Sequence, residues 1–133
     1  MWSALVRALW GESPSEIAGR EVLVVEPSAT RRRALADVLR SAEYQVVELG
    51  SPTEAMARIA AGLRPLMAVA GADRGGMELA HELRADSAYD GVRLVLLAPT
   101  ATLPKALEAG ADLCLEEPVP EGVLLARVHD LAS

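Results

Sequence analysis

Short apolar runs alternate with amphipathic segments along most of this chain, and this alternation limits the folds that it can adopt. Five largely apolar runs are typical of strands buried on both faces, and they lie at 21–26, 45–49, 66–70, 92–97 and 112–115. Each run is followed by apolar residues at helical spacing, which predicts helices at 28–42, 52–62, 77–83, 103–109 and 119–131. Strands and helices in this order predict an α/β protein with an open, doubly wound parallel sheet.

Two of the predicted helices begin with capping signals. Ser28 stands before the first helix, and Ser51 stands before the second. Ser51 is followed by Pro52 and, three residues after the serine, by Glu54. A serine hydroxyl can accept a hydrogen bond from a free N–H group of the first turn, and proline fits the first helical position. The glutamate completes a capping-box pattern, so both helix starts are predicted with some precision.

Size and composition favour one domain that does not bind nucleic acid directly. The chain has 133 residues, of which 51% are apolar, and its net charge is −6. That charge would repel a nucleic-acid backbone. A single cysteine, Cys114, excludes an internal disulfide and fits a reducing compartment. No apolar run approaches the roughly 20 residues of a membrane span, so we expect a cytoplasmic protein.

The first residues form a separate feature. Apolar side chains occur there at helical spacing: Trp2, Leu5, Val6, Leu9 and Trp10. They predict a short amphipathic helix that ends at Gly11, so we assign residues 1–19 to a helix and connector and residues 20–133 to the α/β domain. The helix could cover its own domain, a second copy or a partner protein. Its single Arg7 offers little attraction to anionic lipid, which argues against a membrane role.

Three stretches of the chain carry a resemblance to a known family. They are VLVVEPSATRRRALADVLRSAEYQVVELGSPTEAMARIAAG, GGMELAHELR and ALEAGADLCLEEPVPEGVLLARV. From Arg20 to Ser133 the chain resembles the receiver domain of bacterial two-component response regulators. The resemblance implies the flavodoxin-like (βα)5 fold, an open five-stranded parallel sheet of the receiver type. The N-terminal amphipathic helix is then an addition that receivers do not need.

Receivers accept a phosphoryl group on an aspartate at the end of the third strand. Acidic residues after the first strand bind Mg²⁺, and a hydroxyl after the fourth strand and a lysine after the fifth contact the phosphoryl oxygens. The metal ion and the lysine offset the negative charge of those oxygens. Such a site lies at the carboxyl ends of the strands, where doubly wound sheets bind their ligands.

The resemblance places these functions on residues that cannot perform them. The acidic pair falls on Glu26 and Pro27, the phosphoacceptor on Gly71, the hydroxyl on Ala98 and the lysine on Glu117. Of the acidic pair only one carboxylate remains, that of Glu26. Glu117 places a negative charge where the family has the positive charge of a lysine. We therefore treat these five positions as a vestigial phosphosite with no catalytic residue, no metal and no cofactor.

Alternatively, residues elsewhere in the chain could accept and bind the phosphoryl group. Asp73 lies two residues beyond the expected acceptor, and Thr100 could replace the missing hydroxyl. Mg²⁺ would then be held by Glu26 and Asp73. Against this, Glu117 would repel the phosphoryl group, and the only lysine, Lys105, belongs to the predicted fourth helix. The simpler expectation is that Asp73 is a solvated loop residue that helps to cap the next helix.

Arg31 is a candidate for an ion pair in the pocket where the family binds the metal ion and the phosphoryl group. It opens the predicted first helix and could pair with Glu26 or Glu117, which would fix the domain in one state. A weaker alternative is a sensor that binds an anion or a nucleotide with Arg31 and the Gly71 loop. Arg32 and Arg33 are expected on a solvated face.

These observations lead to a functional hypothesis. We expect a phosphorylation-independent pseudo-receiver, not an enzyme, that acts by protein–protein interaction or as a homodimer in a bacterial two-component or phosphorelay pathway. The alternative is an active receiver that is phosphorylated at Asp73 with Mg²⁺. Candidate interaction residues are Trp2, Leu5, Leu9, Trp10, Leu107, Cys114 and Leu125. Cys114 falls where the family usually has an aromatic residue that reports the switched state.

Overall fold

The computed structural model describes Glu21–Ala132, so the predicted N-terminal helix and its connector lie outside the described residues. Within this range five strands form one parallel sheet in the order β2-β1-β3-β4-β5. The strands are β1 (Glu21–Val25), β2 (Gln45–Leu49), β3 (Met67–Gly71), β4 (Arg93–Ala98) and β5 (Leu113–Glu116). The predicted doubly wound parallel sheet is confirmed.

Five α-helices of the described range connect and cover the strands. They are α1 (Ala29–Ser41), α2 (Pro52–Ala60), α3 (Met77–Ala85), α4 (Leu103–Glu108) and α5 (Glu121–Ala132). Side chains of α1 and α5 pack on one face of the sheet, and side chains of α2, α3 and α4 pack on the other. This is the predicted flavodoxin-like (βα)5 arrangement. None of the helices in the described part of the chain is long and apolar enough to cross a membrane.

The interior strand β1 shows why the sheet needs helices on both faces. Val22 and Val24 pack in the same cluster as Leu39 of α1 and Val128 of α5. The intervening Leu23 points to the opposite face, toward the cluster formed with α2 and α3. All five side chains are fully buried. Successive side chains of a strand alternate between faces, so a strand that is apolar throughout must be covered twice.

The predicted capping signals are present. The Ser28 hydroxyl accepts a hydrogen bond from the Arg31 N–H group at 3.3 Å, and the Ser51 hydroxyl accepts one from Glu54 N–H at 3.2 Å. The Glu54 carboxylate accepts a further bond from the N–H group of Gly50 at 2.6 Å. These local bonds satisfy N–H groups that a helix start leaves free.

The last helix differs from its prediction. It begins at Glu121 rather than at residue 119, after a segment that contains Pro118 and Pro120. Val123, one of the apolar residues of this helix, is 45% exposed. The buried residues of α5 are Leu124 and Val128, four residues apart. Val123 lies about 100° around the helix from Leu124 and therefore turns toward solvent.

Candidate functional site

The carboxyl ends of β1, β3, β4 and β5 form one edge of the domain. Glu26 follows β1 and is only 3% exposed, and its backbone N–H donates to the carbonyl of Leu49 at 3.0 Å. Gly71 ends β3 and is buried. Glu117 follows β5, and its N–H donates to the carbonyl of Ala98 at 2.8 Å. The parallel register thus brings residues from distant parts of the sequence to one place.

Arg74 occupies the middle of this edge. Its Nε donates to Glu26 Oε1 at 2.6 Å, and its Nη2 donates to Glu117 Oε2 at 2.9 Å. A third contact joins Nη1 to Asp73 Oδ1 at 3.1 Å. A guanidinium group has N–H donors that point in several fixed directions within one plane. It can therefore bind several carboxylates at once, each through a different donor. Arg74 therefore links the loop after β3 to the ends of β1 and β5.

Gly71 makes room for the guanidinium group. A Cβ atom built on Gly71 would lie 2.4 Å from Arg74 Nη2 and 2.5 Å from Arg74 Cζ, far inside van der Waals contact. The φ angle of Gly71 is −71°, which any residue can adopt. The glycine is thus required for space and not for backbone conformation. A side chain at position 71 and the observed position of Arg74 exclude each other.

A tight turn directs Arg74 back over Gly71. The turn spans Ala72–Gly76, and the N–H group of Met77 donates to the carbonyl of Ala72. Arg74 and Gly75 have non-helical backbone angles, with φ at +101° for Gly75. That φ value favours glycine. A Cβ atom at Gly75 would also come within 2.8 Å of Pro52 in α2.

The cluster around Arg74 is negatively charged. Three carboxylates, those of Glu26, Asp73 and Glu117, contact one guanidinium group. Partial burial acts to lower the pKa of Arg74, but the hydrogen bonds to Glu117 and Glu26 outweigh it and raise the pKa above its ordinary value. Arg74 is therefore charged at every physiological pH. The two excess negative charges disfavour a bound anion at the Gly71 loop.

The same contacts do not fit a magnesium site. One oxygen of Glu26 accepts from Arg74, and the other accepts from the backbone N–H of Ser28 at 2.9 Å. Among the described residues, no group of three or more His, Cys, Asp or Glu side chains is placed to hold a metal ion. A cation is already present in the guanidinium group. Mg²⁺ requires near-octahedral oxygen ligands, and here those oxygens bind N–H groups.

Comparisons with known proteins agree with the fold described above. No family model matches the chain. A putative response regulator from Chloroflexus aurantiacus J-10-fl superposes with a TM-score of 0.78 at 24% identity, over 85% of this chain and 97% of that chain. A signal receiver domain from Bermanella marisrubri gives a TM-score of 0.77 at 24% identity, over 86% and 98%. The described residues have the receiver fold.

A relative is also found at the level of sequence. The DNA-binding response regulator MtrA of Mycobacterium tuberculosis (strain ATCC 25618 / H37Rv) is 30% identical over 113 residues, which cover 83% of this chain and 49% of that protein. The chain thus spans about half the length of the curated relatives that it matches. The similarity supports a relation to response regulator receivers.

We expected Arg31 to pair with Glu26 or Glu117, but in the structure Arg74 pairs with both. Arg31 lines a cavity beside the cluster, but the cation that bridges Glu26 and Glu117 is Arg74. Arg32, expected on a solvated face, donates from Nη1 to the backbone carbonyl of Glu26 at 2.9 Å. Sequence reasoning missed Arg74, although it is the only arginine or lysine between Arg64 and Arg84 and lies in the Gly-rich loop.

The residues proposed for phosphorylation at Asp73 are not arranged as that hypothesis requires. Asp73 is half exposed and pairs with Arg74, as a loop carboxylate. It does not cap α3, whose start at Gly76 has no side-chain cap hydrogen bond. The Thr100 hydroxyl donates to Glu116. It therefore does not replace the hydroxyl that the family has at position 98, where Ala98 is buried.

The remaining candidate residues lie along another edge of the domain. Leu107 on α4 is 59% exposed, while Cys114 on β5 and Leu125 on α5 are partly buried. Burial raises the pKa of the Cys114 thiol, which favours the unreactive protonated form. The two tryptophans and two leucines of the predicted N-terminal helix lie outside the described residues.

Proposed function

We propose that this chain is a phosphorylation-independent receiver-like module in a bacterial two-component or phosphorelay pathway. One observation carries the proposal: the guanidinium group of Arg74 binds Glu26 and Glu117 directly above Gly71. The family resemblance places the acceptor carboxylate at Gly71 and the phosphate-binding lysine at Glu117. A cation that belongs to the chain thus replaces the metal ion and the lysine, and no acceptor is left at the strand end.

The proposal assigns the domain no catalytic step. Phosphoryl transfer to a receiver needs a carboxylate nucleophile and cations that offset charge on the phosphoryl oxygens. Gly71 offers no nucleophile, and the charge of Arg74 is already taken up by carboxylates. The contacts of Arg74 are independent of any added ligand, so we expect the module to rest in one conformational state.

Such a module acts through contact with other proteins or with a second copy. The large hydrophobic side chains exposed in the described part of the chain are Leu107 of α4 and Val123 of α5, at 59% and 45%. Both helices flank β5, the edge strand of the sheet. We call this surface the α4–β5–α5 edge and propose it as the main contact surface, with Leu125 and Cys114 beside it.

One observation favours a second candidate, a receiver phosphorylated at Asp73. Its carboxylate is about half exposed and has the guanidinium group of Arg74 at 3.1 Å, which could offset phosphoryl charge in place of a lysine. The oxygens of Glu26 that would hold Mg²⁺ bind N–H groups instead. We therefore place this function second.

Intact-mass spectrometry separates the two functions. The chain is incubated with acetyl phosphate and Mg²⁺, in parallel with Asp73→Asn and with a receiver that has an acceptor aspartate. For a phosphorylation-independent module we expect the mass of this chain to stay unchanged under conditions that phosphorylate the control receiver. A phosphoryl adduct that disappears in Asp73→Asn would establish the second candidate instead.

A further inference from the structure

An apolar groove lies between α1 and α5, next to the Arg74 cluster. It encloses about 450 Å³. Its walls include Ala34, Leu35 and Val38 of α1 and Leu124 of α5, and its floor includes Leu97 of β4. The charged residues that also line it are Glu26, Arg31, Arg74, Glu117 and Glu121. A groove with apolar walls beside a cluster of excess negative charge is more suited to apolar side chains than to an anion.

The described domain has few aromatic side chains with which to fill such a space. The chain has no phenylalanine, and both of its tryptophans lie in the first ten residues. In Trp2–Trp10 they share helical spacing with Leu5 and Leu9, an apolar stripe that the proposed function does not use. Tryptophan side chains can bury large areas, so the stripe is suited to an apolar groove.

The stripe can reach the groove within the same chain. The described residues begin at Glu21, the first residue of β1, whose Val22 and Val24 pack in the cluster shared by α1 and α5. Ten residues separate Trp10 from Glu21, and ten residues span up to about 33 Å when extended. Five residues of β1 rise about 16 Å. The connector is therefore long enough to return to the carboxyl end of β1.

We propose that Trp2–Trp10 of the same chain occupies the groove between α1 and α5. Its apolar stripe packs against Leu35 and Val38 and covers the side of the domain next to Arg74. This leaves the α4–β5–α5 edge as the open apolar surface for partners. The inference is independent of whether the domain accepts a phosphoryl group.

The tryptophans themselves provide the test, because fluorescence excited at the red edge of indole absorption reports only on this segment. We expect the full chain to show blue-shifted emission and protection from acrylamide. Ala34→Arg places a charged side chain in the groove at an exposed position and is expected to shift the emission to the red and raise quenching. Ala57→Arg is the matched control, since Ala57 is also exposed and lies on α2, across the sheet.

Three results would overturn the inference. The first is native emission like that of the urea-unfolded chain, since the segment would then be in water. The second is an equal response in Ala34→Arg and Ala57→Arg with both variants folded by circular dichroism. The third is an emission shift that depends on protein concentration, which would place the segment on a second copy.

Discussion

At the residue scale, Arg74 neutralises a carboxylate that the fold has buried. Glu26 is 3% exposed, and Arg74 Nε is 2.6 Å from its Oε1. We expect Arg74→Met to lower the free energy of unfolding by about 2 kcal/mol, because it leaves a buried charge without its partner. Urea unfolding monitored by circular dichroism measures the loss. Arg33→Met is the matched control, since Arg33 pairs with Glu48 at a 67% exposed position and should cost at most about 1 kcal/mol.

The cost of adding a side chain at Gly71 should depend on the presence of Arg74. Gly71→Ala should destabilise the domain, because its methyl group would occupy the space of the guanidinium group. In Arg74→Ala the same substitution should cost much less, since that space is then free. A double-mutant cycle measures the coupling free energy, which we expect to exceed about 1 kcal/mol. Additive effects of the two changes would show that Gly71 is not required by Arg74.

At the element scale, Glu48 of β2 connects the sheet to α1. Its carboxylate lies 2.9 Å from Arg40 Nη1 and 3.2 Å from Arg33 Nε. Burial opposes ionisation of Glu48, but the hydrogen bond from Arg40 and the charges of Arg33 and Arg40 outweigh it and lower the pKa below the ordinary 4.5. The stabilisation is therefore complete above pH 4.5 and is lost as the pH falls through the lowered value.

This sign gives a prediction for acid unfolding. Glu48→Gln should reduce stability at pH 7 and flatten the decline of stability with falling pH below about 4.5. Urea unfolding midpoints from pH 3 to pH 7 would show it. Asp37→Asn serves as the control, because Asp37 pairs with Arg40 only at 3.6 Å on an exposed face. Parallel pH profiles for the native chain and Glu48→Gln would contradict the assignment.

At the scale of the whole molecule, the fixed Arg74 cluster predicts that phosphoryl mimics do not change the domain. Mg²⁺ with beryllium fluoride should leave the melting temperature unchanged, because a ligand shifts stability only if it binds the native state. Differential scanning fluorimetry would measure this, with an active receiver as the positive control. Stabilisation by Mg²⁺ with beryllium fluoride but not by Mg²⁺ alone would contradict the proposed function.

The alternation of strands and helices could be predicted from the sequence, because a strand that is buried on both faces is a continuous run of apolar residues. Helix starts at Ser28 and Ser51 were readable for the same reason: the capping bonds span only three residues. The empty acceptor position at Gly71 was also visible, through the family resemblance. The outward turn of Val123 was not predicted, since two adjacent valine and leucine residues compete for one inner position.

Only the tertiary structure decided which cation fills the vacated edge. Arg74 is 48 residues from Glu26 and 43 from Glu117, and the sheet order brings the strands that precede them to one edge. Arg31 was the expected candidate because it opens α1, but the path of the Ala72–Gly76 turn directs Arg74 over Gly71. Local patterns determine elements because their interactions are short in sequence. The identity of an ion pair across strand ends depends on a loop path that no local pattern specifies.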